Sequence, residues 1–544
     1  MPKYIFVTGG VLSGLGKGTV AASIARLLQF RGFTVSMVKC DPYLNVDAGT
    51  MNPIEHGENF VCEKVWTFQP AKGFAFKIAE VDQDFGTYER FTGENIHPSH
   101  NITSGQIYLS VILKERVGEY LGKTVQIIPH ITDEIKRRIL NVAQENKDIV
   151  IVEIGGTVGD IEGMPFLEAI RQLRTQLKQE DSFLVHVTYV PFVKTLGQLK
   201  TKPTQHSVQR LLEAGLHPDC IVARSEYPLS EKERSKLSML TGVPYRAVIS
   251  APDVNIIYAL PIIFEQQGLG NYLVEKLKLS ERENYTRSLK KWEEMVRLYM
   301  DYSGTVKIAL VGKYTSIGDA YISIKEALKH AGAALGVKVI IDIVNAEDYS
   351  LESLGEYNGI LLTPGFGKRA VDGMIKAAIF ALSRKIPFLG ICFGGQLGAI
   401  AFARKIMGWK SANSTEIDPK TPYPIVDLLP WQKQTDMKGG TMRLGGLNVN
   451  IIRDTKLWLI YQRSTTVERF RHRYHIIDEY AKKMEREGFI INSRDEEGNI
   501  AGYEISWHPF FIGVQFHPEF KSRPWDPSPL YLAFVRESVK DMED

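Results

Sequence analysis

Four cysteines in 544 residues (Cys40, Cys62, Cys220 and Cys392) are too few for a disulfide framework. A reducing, cytoplasmic setting is expected, in which a single thiol is left for chemistry. No apolar run approaches the ~20 residues that cross a bilayer. Met1–Thr8 passes straight into an apolar strand pattern without the layout of a signal peptide, so no membrane partner is expected. An excess of one charge is also missing. Sixty-six basic residues face 63 acidic ones, a net charge of +3, which offers no broad field for nucleic acid. Any anionic partner must be held by local residues. Internal repeats and low-complexity tracts are absent as well.

What remains is the composition of a soluble globular enzyme, 44% hydrophobic and 24% charged, in a chain too long for one ordinary domain. Short β-branched runs alternate with helical patterns: strand at Tyr4–Thr8, helix at Thr19–Arg31, strands at Thr34–Lys39 and Ile149–Glu153. That rhythm predicts a parallel sheet with crossover helices. A charged stretch from Leu279 to Ser303 reads as a helical connector, and a second α/β series starts at Lys307–Val311, with further strands at Gly359–Leu362 and Pro387–Ile391. The expected fold class is α/β, two three-layer domains with mostly parallel sheets joined by a helical linker. The expected domains are 1–279, a linker at 280–304, and 305–544.

Directly after the first strand comes Gly9-Gly10-Val11-Leu12-Ser13-Gly14-Leu15-Gly16-Lys17-Gly18-Thr19, and then a helix. Glycines let backbone N–H groups curl around phosphate oxygens, the helix N-terminus adds its positive end, and a lysine supplies a point charge. The spacing is not that of the strict P-loop, because five residues separate Gly10 from Gly16 and Gly18 holds the usual hydroxyl position. Placement after strand one makes it an ATP site. Lys39 ends the second strand, and Glu153 ends a strand leading into a glycine-rich loop with Asp160 and Glu162. Ligands of open α/β sheets sit at these carboxyl ends, where carboxylates hold Mg²⁺. The loop Lys200-Thr201-Lys202-Pro203-Thr204-Gln205-His206-Ser207 could grip a second polyphosphate, or be a solvated basic turn.

In the second half, Gly390-Ile391-Cys392-Phe393-Gly394 has the form of a nucleophile elbow. A helix N-terminus there favours a thiolate. His517 and Glu519, in the string Val514-Gln515-Phe516-His517-Pro518-Glu519, complete a nucleophile, base and orienting acid. The amides of Gly365 and Phe393 are placed to form an oxyanion hole.

An ATP loop in one half and a thiol triad in the other imply ammonia made in one place and used in another. From Tyr4 to about Pro524 the chain resembles the CTP synthases, through YIFVTGGVLSGLGKG, KCDPYLNVDAGTMNP, YLGKTVQIIPHIT, VEIGGTVGDIEGMPFLEAIRQ, KTKPTQHSV, ANSTE, GGTMRLG, RHRY and VQFHPEF. The resemblance implies that ATP phosphorylates the 4-oxygen of UTP and that ammonia from glutamine displaces the phosphate to give CTP. It also implies activation by GTP, inhibition by CTP, homotetramers and their stacking into filaments. By position, ATP would meet Ser13, Gly14, Leu15, Gly16, Lys17, Gly18, Thr19, Lys39 and Asp253. UTP or CTP would meet Ser13, Asp160, Glu162, Lys200, Lys202, Gln205 and Lys236, some across a subunit interface. Asp82 and Glu153 match the Mg²⁺ ligands, and Gly365, Phe393, Gln396, Glu416 and Arg473 match the glutamine pocket.

Three departures stand out. About a dozen extra residues, aromatic and basic, follow Val61 and precede Glu80; an extruded loop, which chain entropy tolerates cheaply, is the favoured expectation, and a remodelled Mg²⁺ site beside Asp82 is the alternative. Pro364 replaces a glycine and cannot donate an N–H, so Gly365 is expected to serve. Phe393 and Gly395 replace Leu and Met beside the thiol, and Arg369-Ala370 replaces Arg-Gly. Two other readings compete with the full enzyme: a synthase that uses only free ammonia, and a catalytically weak paralogue retained for assembly.

Overall fold

The computed structural model describes residues 2–280, 282, 285–314, 318–428, 432 and 442–540. Glu281, Glu283 and Asn284 of the expected linker, and Gly439–Thr441 of the GGTMRLG string, lie outside them. The chain divides into two compact units. The first comprises Met1–Ala48, Trp66–Ile78 and Asp84–Val296; the second comprises Gly49–Val65, Ala79–Gln83 and Arg297–Asp544.

The first unit is built on a seven-stranded parallel sheet. Its order is Val248–Pro252, Cys220–Ser225, Ser182–Tyr189, Lys3–Gly9, Ile149–Ile154, Val35–Asp41, Asn101–Thr103. Nearly every residue of the inner strands is buried, which is why they read as continuous apolar runs rather than alternating ones. Lys3–Gly9 sits fourth of the seven, so the glycine loop leaves the middle of the sheet at its carboxyl edge. Helix Lys17–Phe30 follows. Helix Tyr285–Leu298 buries Trp292, whose indole N–H donates to the Tyr258 carbonyl at 2.8 Å.

The second unit carries a nine-stranded mixed sheet. Val337–Asn345, Gly304–Gly312, Gly359–Leu362, Phe388–Ile391 and Phe511–Val514 are parallel. Ile500–Ile505, Phe489–Asp495, Arg443–Ile451 and Thr465–His472 continue it antiparallel. Side chains of the first strand alternate between two cores: Val306, Ile308 and Leu310 enter one, Ala309 and Val311 the other. Both faces are therefore covered, as three layers require.

The expected extruded loop is an ordered hairpin, Phe60–Phe68 against Phe76–Val81, turning at Gly73 with φ 89°. Alternating residues face apolar neighbours. In the first unit, Phe68 is buried beside Trp66 and Phe76, with the Arg138 guanidinium 4.8 Å from its ring. In the second, Phe60 packs edge-on against Phe520 at 4.9 Å.

Candidate active site

In the second unit, strand Phe388–Ile391 delivers Cys392 to the start of helix Phe393–Lys405. Cys392 has φ 52° and ψ −108°, a strained backbone that points its side chain out of the turn. The flanking glycines make this possible. A Cβ on Gly394 would stand 2.2 Å from the Leu362 carbonyl oxygen, and one on Gly390 would stand 2.7 Å from the Gly394 oxygen. His517 follows strand Phe511–Val514, and its Nδ1 is 2.7 Å from Glu519 Oε1, both residues buried. Burial alone would disfavour the imidazolium, but Glu519 and Cys392 outweigh it and push the His517 pKa up to about 10. Nε2 of His517 is buried, and Cys392 is the group that bears on it. An imidazole that a carboxylate at one nitrogen and a thiol nearby both favour in its charged form is equipped to hold the thiol's proton and leave a thiolate.

Around this centre the expected glutamine residues separate into two groups. Gln396 lies one turn into the helix, and its Nε2 donates to the Tyr474 carbonyl (2.8 Å) and to Gln515 Oε1 (2.9 Å). Glu416 accepts from the Gly367 N–H at 2.6 Å; burial raises its pKa against the pull of Lys313 and Arg473. Lys313, whose ammonium burial brings down to about 8, donates to the carbonyls of Phe366 (2.7 Å) and Gly367 (3.0 Å) and lies 4.4 Å over the Phe393 ring. It therefore pins the Gly365 loop against the residue after the thiol, a part that sequence reasoning missed. A cavity of about 460 Å³ opens beside Gly365, Phe366, Arg471, His517 and Glu519.

In the first unit the glycine loop closes on a charge cluster. Gly16 adopts φ 84°, which glycine alone adopts freely. Lys17 Nζ donates to the Gly156 carbonyl at 2.7 Å, and burial lowers its pKa against the attraction of Glu153. Lys39 Nζ pairs with Glu153 at 3.1 Å and with Asp84. Burial raises the Glu153 carboxyl pKa while Lys39 lowers it, and the Tyr88 hydroxyl donates to the other oxygen. A Cβ on Gly18 would strike Asp84 Oδ1 at 2.4 Å, so the position that usually carries a hydroxyl is empty to admit a carboxylate. The sequence expectation named Asp82. The structure puts Asp84 against Lys39, while Asp82 Oδ2 lies 3.9 Å from His56 Nδ1 in the second unit. Among the described residues no three His, Cys, Asp or Glu side chains form a ready metal cage.

Arg224 was also missed. Its Nη1 lies 2.8 Å from where a Gly16 Cβ would be, and its Nη2 pairs with Asp253 at 2.7 Å. The expected loop at KTKPTQHS is helix from Lys202 onward, in Lys202–Glu213, with Pro203 in its first turn where a missing N–H costs nothing; Ser207 on that helix reaches the glycines, since a Gly10 Cβ would overlap its Oγ. The remaining polyphosphate candidates are scattered. Asp160 and Glu162 are exposed on one turn, Lys202 and Gln205 sit on the first turn of helix Lys202–Glu213, Lys200 bonds Gln198, and Lys236 is exposed on helix Glu231–Thr241. Ser13 is exposed as well.

Comparison with known proteins gives the family. The profile of the CTP synthase N-terminus matches residues 3–279, and that of class-I glutamine amidotransferases matches 316–536. A CTP synthase of Thermococcus gammatolerans is 51% identical over 541 residues, 98% of each chain. The chain belongs to the CTP synthase family. A CTP synthase of Archaeoglobus fulgidus is likewise 51% identical over 544 residues, covering 99% of this chain and 98% of that one. Among solved structures, the glutaminase domain of Trypanosoma brucei CTPS with bound acivicin is 33% identical, with a TM-score of 0.41 over 43% of this chain and 94% of that one.

As a CTP synthase with an amidotransferase domain, the chain is a glutamine-hydrolysing ligase for conversion of UTP to CTP. One departure from the CTP synthase pattern, Gly395, has a structural reason. Gly395 leaves no room for a side chain, because a Cβ would meet the Val514 carbonyl oxygen at 2.7 Å. The neighbouring space is taken by buried Tyr503, whose hydroxyl donates to the Gly395 carbonyl at 2.8 Å. No described helix is long and apolar enough to cross a membrane.

Proposed function

We propose that the two centres run one coupled reaction at a cost of ATP. In the second unit, Cys392 Sγ gives its proton to His517 Nε2 and attacks the side-chain amide carbon of glutamine. The amides of Gly365 and Phe393 receive the oxyanion. The carbon–nitrogen bond breaks, His517 protonates the leaving nitrogen, and ammonia departs. Water then cleaves the thioester to glutamate and the free thiol. Glu519 holds the ring and carries its charge through both steps. Gln396, Glu416 and Arg473 seat the substrate.

In the first unit, the loop from Ser13 to Thr19 with Lys17, Lys39 and Asp253 binds ATP, whose γ-phosphoryl passes to the 4-oxygen of UTP. Ammonia adds at C4, inorganic phosphate leaves, and loss of a proton gives CTP. Asp84 and Glu153 fit Mg²⁺, a hard cation that takes one or two carboxylates and completes its shell with water and phosphate oxygens. When bound it would neutralise charge on the transferring phosphates. Asp160, Glu162, Lys200, Lys202, Gln205 and Lys236 hold UTP or the inhibitor CTP. Their wide exposure, and that of Ile161 at 85%, supports a site completed by another subunit of a homotetramer, which stacks into filaments. GTP acts as activator of the glutaminase, and the setting is cytoplasmic.

The observation that carries this reading is the buried Cys392–His517–Glu519 set, in which His517 answers to the carboxylate at Nδ1 and to the thiol. The test is CTP formation from UTP, ATP and Mg²⁺, with either glutamine plus GTP or ammonium as nitrogen source. Cys392→Ala should cut the glutamine reaction by roughly 10⁶-fold and leave the ammonium reaction standing. Equal activity of the variant with glutamine would remove Cys392 from the mechanism.

A further inference from the structure

Beside Cys392 stands a side chain that the triad does not use. Gln515 ends strand Phe511–Val514, its backbone N–H bound to the Ala501 carbonyl at 2.8 Å. Its side chain is buried, and its Nε2 lies 3.5 Å from Cys392 Sγ. Which end of that amide faces the sulfur is fixed by a relay. The Tyr474 carbonyl can only accept, so the atom of Gln396 that meets it at 2.8 Å must be the nitrogen. That same nitrogen meets the Gln515 amide at 2.9 Å, so the Gln515 atom there must be the oxygen. Turning either amide over would set two donors or two acceptors against each other in a buried place, which costs about 1–3 kcal/mol. The remaining end of Gln515, the NH₂, is thereby aimed at Sγ.

We propose that Gln515 is a further catalytic residue of the glutaminase centre, a fixed N–H donor that favours the thiolate of Cys392 over the thiol. Besides His517, Sγ has two polar neighbours of opposite preference. The Arg471 carbonyl, also at 3.5 Å, can accept from an S–H but repels a thiolate. The Gln515 N–H donates better to a charged acceptor than to a neutral one. When the thiol proton moves to His517 Nε2, the carbonyl contact is lost and the Gln515 contact strengthens. His517 supplies the base and Gln515 part of the compensation for the charge left behind. Gln396 becomes a positioning residue as well as a pocket wall, because its amide sets that of Gln515.

This inference rests on Cys392 being the nucleophile, and its test reads the sulfur directly. The full-length protein is treated with iodoacetamide across pH, and alkylation of Cys392 is followed by peptide mass, separately from Cys40, Cys62 and Cys220. Gln515→Leu removes the donor. Gln515→Glu keeps the shape and the acceptor facing Gln396, but replaces the donor with negative charge. The expected result is a rise of about one pH unit in the alkylation midpoint for Gln515→Leu, a tenfold loss of thiolate below it. A larger rise is expected for Gln515→Glu, with kcat for glutamine hydrolysis falling in the same order and KM held within about twofold. A packing role predicts the reverse, since Gln515→Glu is the closer fit. Unmoved midpoints, or a shift only in Gln515→Leu, would overturn the proposal. Should Gln515→Glu fail to fold, Gln515→Leu decides by its kcat and KM together: a midpoint rise with kcat unchanged, or a loss confined to KM, would overturn the proposal. Glutamine hydrolysis that survives in Cys392→Ala would sink the nucleophile assignment instead, while the alkylation midpoints would still report on Gln515.

Discussion

The phosphate cluster of the first unit and the thiol centre of the second solve opposite problems. Around Lys39, charges of both signs are buried against each other: the ammonium contacts Asp84 and Glu153, and Lys17 is close enough to influence the same acid. Such a set holds itself together, and in the proposed function phosphates and a cation would rearrange it. Around Cys392, the polar groups are mostly neutral amides and carbonyls, each with one permitted orientation, and the strain is in the backbone. One centre is charged and exchangeable, the other rigid and already aimed. Group transfer between bound nucleotides needs the first; covalent attack by an internal nucleophile needs the second.

The comparison breaks first where charge is removed. Lys39→Met leaves the buried Glu153 and its neighbour Asp84 without their shared ammonium, so the first unit should lose about 3–5 kcal/mol and CTP formation should vanish with either nitrogen source. Glu519→Gln in the second unit should cost clearly less stability, because His517 can shed its proton where Lys39 cannot easily do so. Urea unfolding of the two variants checks the order; equal losses would dissolve the contrast.

Acid sharpens it next. Burial, with Lys17 nearby, holds His186 of the first unit down at about 3. Burial also holds His472 at about 3 and His508 at about 4 in the second unit. Each stays neutral in the folded chain while the unfolded chain takes up a proton below about 6.5. Their stability is therefore intact above that pH and lost as pH falls, by about 1.4 kcal/mol per pH unit for each histidine. His517, raised to about 10, is protonated in both states below 6.5 and adds no slope there. Glu134 and Glu145, both held at about 2 in the first unit, begin to matter only below about 4.5. His475 of the second unit is held down by burial as well, so between pH 6.5 and 4.5 the second unit should lose stability more steeply than the first. Hydrogen exchange resolved by peptide measures this, and His472→Gln should flatten the steeper limb.

Legibility in the sequence follows the same division. Strand rhythm, the glycine loop and the thiol elbow are local patterns, and each was readable from residues within a few positions of one another. Asp84 was not, although its signal was present: Gly18 lacks a side chain where a hydroxyl is usual, and Asp84 opens the helix Asp84–Thr92 whose first turn faces that gap. Arg224 lies far along the chain from Gly16, so no spacing rule joins them. The hairpin at Phe60–Val81 was legible in principle, because VWTF and FAFK alternate about Lys72-Gly73 as strands do about a turn. Its unfamiliarity within the CTP synthase pattern, more than its residues, made it read as a loop. Gln515 escaped because its meaning lies in the orientation of an amide, which only the Tyr474 carbonyl determines.

The smallest effect isolates the strain itself. Cys392→Ala and Cys392→Gly both remove the sulfur, and with it the contacts to Gln515 and Arg471. They differ in the Cβ that makes φ 52°, ψ −108° costly. Strain of that kind is worth about 1–3 kcal/mol, while glycine adds about 0.5–1 kcal/mol of unfolded-state entropy. Cys392→Gly should therefore be the more stable of two inactive proteins by about 1 kcal/mol. Glycine has no Cβ to clash in that turn, so a less stable Cys392→Gly would mean that the elbow carries no strain, and that its sharpness is relaxed by the packing of Gly390 and Gly394.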